Sequence, residues 1–414
     1  MGLLSLQSLP PQVKQYLVIT GNYWAFTLTD GALRMLVILY FHQLGYSPLS
    51  IALLFLFYEV FGVVTNLVGG WLGARLGLNK TMNIGLALQI IALAMLLMPT
   101  NLLTVAYVMT AQALSGIAKD LNKMSAKSAI KLLVPREEGN KLYQWIALLT
   151  GSKNTLKGLG FFLGGVLLTG LGFTGAIALM TTMLAVVWLF SLVKLQADLG
   201  KTKNKAKFKT IFSKSRSLNL LSAARLFLFA ARDVWFVVAL PIFLAAEFAW
   251  SHAWVSGFIA AWIMLYGVMQ TLAPKLTAKP SGHVPTGQDA AKWGALLVVV
   301  PVTMALALHY EFSAIYVVIA GLMAFAVLFA INSSLHSFLI VDMASQDGVS
   351  LDVGFYYMAN ACGRLLGTVL SGWFFQLYGL VACLSISAVF IVLAVLFASL
   401  INPAQLSAAT KRII

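Results

Sequence analysis

Long apolar runs dominate this chain, separated by short stretches of charge, glycine, proline and other turn-forming residues. The runs fall near residues 18–42, 50–73, 81–98, 101–118, 143–168, 173–194, 218–245, 254–273, 292–308, 313–340, 353–376 and 380–401. A bilayer core about 30 Å thick takes roughly 20 apolar residues per helical crossing, so the pattern predicts twelve transmembrane helices. Strands of a membrane β-barrel would alternate in polarity over about ten residues, and open sheet edges are not tolerated in lipid. The expected class is therefore an all-α integral membrane protein.

Composition narrows the function classes. Of 414 residues, 60% are hydrophobic and 10% charged, where a soluble domain carries about a quarter charged residues. Little sequence remains for a soluble domain. The polar start through Lys14 leads into a full-length span from about Tyr16, which is not the pattern of a cleaved signal. Cys362 and Cys383 both lie in apolar stretches, which argues against a disulfide framework or a CxxC metal site. Motif searches for a phosphate-binding G-x4-G-K-[ST] loop, HExxH, GxSxG and a dinucleotide fingerprint all fail. No enzyme, no cofactor and no metal site is expected, and ATP-driven work by this chain alone is excluded.

The formal net charge of +15 raises the question of nucleic-acid binding, and the placement of the charges answers it. All but six of the 28 Lys and Arg residues fall at the termini and in alternate loops: Arg75 and Lys80, the run from Lys119 to Lys141, the stretch from Lys194 to Arg216, and Lys275, Lys279 and Lys292. The opposite loops contain no Lys or Arg. By the positive-inside rule both termini of a multi-pass membrane protein are expected in the cytoplasm. The basic balance is then a topology signal, and no nucleic-acid partner is expected.

The longest polar interruption, Lys194 to Arg216, divides the chain into two sets of six spans. The expected organisation is an N-terminal bundle at 1–196, a basic cytoplasmic linker at 197–217 and a C-terminal bundle at 218–414. Residues echo across the halves at an offset of about 204: Asp30 with Asp233, Gly62 with Gly267, Lys157 with Arg364, Gly160 with Gly367 and Gly165 with Gly372. This layout resembles the major facilitator superfamily, whose two bundles rock about a midplane site. Between spans 2 and 3, Gly70-Trp-Leu-Gly-Ala-Arg-Leu-Gly-Leu-Asn-Lys80 is similar to that superfamily's G-x-L-x-D-R-x-G-R-[KR] gating loop, through Gly70, Leu72, Arg75, Gly77 and Lys80. Ala74 stands where the superfamily has an aspartate. The glycines of span 5, Gly151, Gly160, Gly164 and Gly165, have the spacing of its antiporter motif.

Charges inside the spans carry the chemistry. Six are basic, Arg34, Lys153, Lys157, Arg225, Arg232 and Arg364, and three are acidic, Asp30, Glu59 and Asp233. Each costs about 2.5–3.5 kcal/mol at a helix centre when it faces lipid, so they must face water or one another. Asp30 and Arg34, four apart, are expected to neutralise each other. Arg232 and Asp233 are adjacent and are not expected to face each other. Lys153 and Lys157 put like charges on one face, and Arg225 and Arg232, seven apart, share a face of span 7. The excess of cations predicts an anionic substrate, with Arg forks suited to phosphate or arsenate oxygens. A further stripe of Lys119, Lys123, Lys127 and Lys131 reads as a solvated face, of which Lys119 and Lys123 are the members expected to reach the substrate. Asp30, Glu59 and Asp233 are the candidate proton-coupling groups.

Four stretches carry a closer resemblance: Asn22 to Arg34, Gly69 to Met82, Ser115 to Lys131 and Ala231 to Pro241. On these the chain resembles the ArsJ organoarsenical efflux permeases of the major facilitator superfamily. The resemblance implies export of 1-arseno-3-phosphoglycerate, formed when a glyceraldehyde-3-phosphate dehydrogenase uses arsenate, and hence a functional partnership with that enzyme and arsenate resistance. Lys153 and Lys157 with Arg225, Arg232 and Arg364 would clamp the two anionic ends. The alternative is a superfamily transporter of another organic anion, such as an organophosphate or an acidic drug.

Overall fold

The computed structural model describes residues 11–46, 54–133, 139–195, 199–201, 215–250, 252–277, 284–345 and 348–401. Arg136, most of the basic linker at 197–217, and Lys411 with Arg412 lie outside the described residues. Among those described there are eleven α-helices and no strand: α1 (Pro11–Gln43), α2 (Leu56–Leu76), α3 (Leu78–Met95), α4 (Val105–Leu133), α5 (Gly139–Lys194), α6 (Arg216–Phe236), α7 (Ala239–Glu247), α8 (His252–Thr277), α9 (Gly287–His309), α10 (Ala314–Met343) and α11 (Val349–Ser399).

Two helices are too long for one crossing. At 1.5 Å per residue, the 56 residues of α5 and the 51 of α11 each reach far beyond a bilayer core. Each is broken by a glycine in the left-handed region, Gly172 at φ 68° and Gly379 at φ 71°, where a side chain would be strained. The segments on either side supply spans 5 and 6 and spans 11 and 12. Span 7 crosses as α6 followed by α7, with the break at Val237 and Val238. Twelve crossing segments result, as the apolar runs predict. Outward-facing positions are apolar, as lipid requires: beyond Gly172, Val186 is 63% and Val193 80% exposed.

The chain packs as two compact units, one of Met1–Glu138, Ser152–Phe212 and Ala344–Met358, the other of Gly139–Gly151, Ser213–Met343 and Ala359–Ile414. In the first, α1 and α5 meet backbone to backbone at Gly31 and Gly160. A Cβ on Gly31 would lie 2.8 Å from the Lys157 carbonyl oxygen, and one on Gly160 2.7 Å from that of Leu28. The start of α11 crosses α2 in the same way, with the position of a Gly354 Cβ 3.0 Å from the Gly70 Cα. In the second unit, α11 approaches α6 at Gly363 and Gly367, where a Gly367 Cβ would lie 2.7 Å from the Ala230 carbonyl oxygen. Small residues permit such approach, and in lipid it is close packing that holds helices together. Gly160 and Gly367, matched in the sequence echo, therefore do the same work in each unit.

An aromatic column fills the second unit. Trp235 meets Phe325 edge-on at 4.9 Å, Trp262 stacks with Tyr266 at 6.0 Å, and Tyr266 reaches Phe329 at 5.6 Å. Phe229 of α6 packs on Phe329 at 5.3 Å, which ties the basic residues beside it to this rigid core.

Candidate functional site: buried ion clusters

In the second unit three arginines gather around one face of α6. Arg225 and Arg232, seven residues apart, place their guanidinium carbons 4.0 and 4.8 Å from the Phe229 ring between them, as their spacing predicts. Arg225 is almost fully buried. Its Nε donates to Asn360 Oδ1 at 2.9 Å, and its Nη1 donates to the Ser333 carbonyl and hydroxyl at 3.2 and 3.0 Å. Tyr266 and Gln270 donate to the same hydroxyl, at 3.1 and 3.2 Å.

Asp233, fully buried, lies between two arginines. Arg232 Nε donates to its Oδ1 at 2.6 Å, and Arg364 Nε of α11 donates to its Oδ2 at 3.2 Å. The contact between neighbours Arg232 and Asp233 corrects the sequence expectation. The long guanidinium arm folds back along the helix and reaches the adjacent carboxylate although the two Cβ atoms diverge. Arg364 is the outermost member, its side chain 36% exposed against 14% for Arg232 and none for Asp233.

The first unit holds a second cluster. Arg34 of α1 pairs with Glu59 of α2 at 3.0 Å and lies over the rings of Phe55 and Tyr58, at 5.1 and 4.9 Å. Asp30 instead accepts the Tyr58 hydroxyl on both oxygens, at 2.8 and 3.0 Å. The four-residue spacing of Asp30 and Arg34 allowed a pair that the fold replaces, because α2 offers each a better-directed partner. Lys119 Nζ lies 3.8 Å from the centre of the Tyr58 ring. Lys123 Nζ bonds Asp120 at 2.6 Å and sits 4.8 Å over the ring of Tyr357.

The lysine stripe of α4 is not the solvated face that its charge suggests. Lys127 is 3% and Lys131 8% exposed, more buried than the side chains of Lys119 and Lys123, at 18% and 16%. On α5, Lys153 donates to Asn154 Oδ1 at 3.2 Å and Lys157 lies 5.8 Å over the Phe161 ring. In the gating loop, Gly77 takes φ 99° to end α2 and begin α3, while Gly70 is a crossing point with α11. Arg75 and Lys80 are exposed, Arg75 lying 5.1 Å over the Trp71 ring, and Ala74 is buried.

The Major Facilitator Superfamily family model matches residues 19–337 of this chain. The chain belongs to the Major Facilitator Superfamily. This superfamily member is accordingly a multi-pass membrane transporter and not an enzyme. Its fold is shared with the E. coli fucose:proton symporter FucP at a TM-score of 0.72, over 95% of this chain and 100% of that one, at 12% identity. The human organic anion transporter TETRAN matches at 0.73, over 94% and 100% of the two chains, at 17% identity. A bacterial homologue of the iron transporter ferroportin matches at 0.70, over 97% and 100%, at 14% identity. No curated protein sequence matches this chain.

Most of the superfamily member's intramembrane charges thus face one another. Sequence reasoning missed Asp120, because it ended span 4 at residue 118, whereas α4 continues to Leu133. The signal was present. Lys119-Asp-Leu-Asn-Lys123 places an acid three residues before a lysine, and the small-residue run Ser125-Ala-Lys-Ser-Ala129 suits a packed helix. Asn360 and Ser333 offered no such signal, since only the fold brings them to Arg225. Conversion of Arg225 to lysine loses the fork that bonds Asn360 and Ser333 together. The expected outcome is a fall in the thermal midpoint of the purified protein, on the order of the 1.5–3 kcal/mol of one hydrogen bond to a charged group.

Proposed function

We propose that this transporter exports an anionic pentavalent organoarsenical, 1-arseno-3-phosphoglycerate, across the bacterial inner membrane by alternating access, with both termini in the cytoplasm. The observation that supports this most is the pair of Arg232 and Arg364 holding the single acid Asp233, with Arg225 on the same face of α6 bonded to neutral partners. Three guanidinium groups and one carboxylate leave a net positive set in a low-dielectric bundle, and an oxyanion with planar-fork complementarity lowers its energy. In the first unit Arg34, Lys119, Lys123, Lys153 and Lys157 serve the second anionic end. A substrate bearing both a phosphate and an arsenate ester carries two such ends. Residues 1–196 and 218–414, joined by the basic linker, are the moving bundles, and Asp30, Glu59 or Asp233 exchanges the proton that drives the cycle. The four sequence stretches similar to the ArsJ permeases supply the arsenical identity.

The substrate would be made in the cytoplasm by a glyceraldehyde-3-phosphate dehydrogenase that accepts arsenate. In an arsenate-sensitive bacterium, resistance and lowered cellular arsenic are expected only when this chain and such a dehydrogenase are expressed together. No effect of the pair, with the protein present in the membrane, would refute the arsenical and favour another organic anion.

A further inference from the structure

Asp120 is 1% exposed, and its two oxygens are used unequally. Oδ1 bonds Lys123 at 2.6 Å, while Oδ2 stands 4.0 Å from Lys119 Nζ and accepts no hydrogen bond from a described residue. Gly62 of α2 faces that second oxygen, with the position of its absent Cβ 3.1 Å from Oδ2 and 3.9 Å from Lys119 Nζ. Any larger residue there would fill the space beside the carboxylate. One delocalised anion between two ammonium groups, open on the glycine side, is the geometry of a bound oxyanion. In the second unit Asp233 sits between Arg232 and Arg364 in the same manner.

We infer that Asp120 is a tethered counter-anion occupying the seat of one substrate oxyanion, a phosphate or carboxylate type group that exchanges with it between Lys119 and Lys123. This deepens the anion-export reading and rests on it. The incoming oxyanion takes the place of the carboxylate between the two ammonium groups, so the Asp120 charge sets how tightly that group is held. Other charged and titratable groups surround the pair. On its own helix Asp120 has Lys119 and Lys123, with Lys127 one turn beyond, 5.7 Å over the Tyr357 ring. From α2 comes Tyr58, from α1 come Tyr23 and the second acid Asp30, and from α11 comes Tyr357. Arg34 of α1 lies over the same Tyr58 ring, 4.9 Å from its centre, and is paired with Glu59.

The test uses the full chain purified in detergent and 3-phosphoglycerate as probe, titrated calorimetrically. Asp120→Asn removes the competing charge but keeps the shape, and is expected to bind the probe about ten-fold tighter than wild type. Asp120→Glu, which keeps the charge, is expected to return the affinity toward the wild-type value and checks that the position tolerates change. Unchanged affinity in Asp120→Asn, loss of binding in that variant while folded, or no binding by wild type would each overturn the inference. Arsenate resistance in cells with an unaltered Asp120→Asn titration would sink this inference alone. A tightened Asp120→Asn titration without resistance would sink the arsenical reading alone.

Discussion

Replacement of Arg364 by alanine is expected to abolish arsenate resistance while leaving the protein in the membrane at normal levels. Of the two arginines bonded to Asp233, Arg364 is the more exposed, and so the one better placed to meet an incoming anion. Its removal does not strand a buried charge, because Asp233 keeps the 2.6 Å bond from Arg232. Stranding Asp233 entirely would cost on the order of 3–5 kcal/mol and confuse a transport defect with misfolding. The transport loss should reach about a hundred-fold, the equivalent of one charge-assisted hydrogen bond near 3 kcal/mol. Lys157→Ala, at the echoing position on α5, is expected to act in the same direction. Resistance at wild-type level in both variants, measured beside immunoblots of the membrane fraction, would remove these two residues from the substrate path.

The second large effect concerns packing and sets two glycines of one helix against each other. At Gly363 an added Cβ would collide with the carbonyl oxygen of Leu226, a backbone atom that yields only if α6 moves. Gly363→Ala is therefore expected to destabilise the second unit by about 1–3 kcal/mol or more, through overpacking of a helix crossing. Gly372, nine residues further along α11, has nothing within 4 Å of the same added atom. There the substitution removes the conformational penalty of glycine in a helix, worth roughly 0.5–1 kcal/mol in the opposite direction. Thermal unfolding of the two purified variants should shift to opposite sides of wild type. A shift of the same sign in both would show that the α6–α11 contact is looser than these distances indicate.

Much of the architecture was legible because lipid imposes a simple rule. Where water is absent the backbone must satisfy itself, so apolar length alone counts the crossings, and the left-handed glycines at 172 and 379 separate spans that run on in sequence. The shared face of Arg225 and Arg232 followed from helical periodicity in the same way. The sequence echo of Gly160 and Gly367 anticipated matched helix contacts, since only glycine lets two backbones approach that closely.

Partner choice was another matter. Periodicity names residues that share a face of one helix, but an ion pair between helices depends on where a second element places its side chains. Arg34 therefore reaches Glu59, and Asp30 is taken by Tyr58. The lysine stripe from Lys119 to Lys131 reads as a wet basic face, yet α4 runs on to Leu133 with Lys127 and Lys131 buried and Asp120 bonded to Lys123. Charge in the sequence says that a cost must be met within the membrane. Only the tertiary structure, by setting distances of 2.6 to 3.2 Å between named groups, decides which partner meets it.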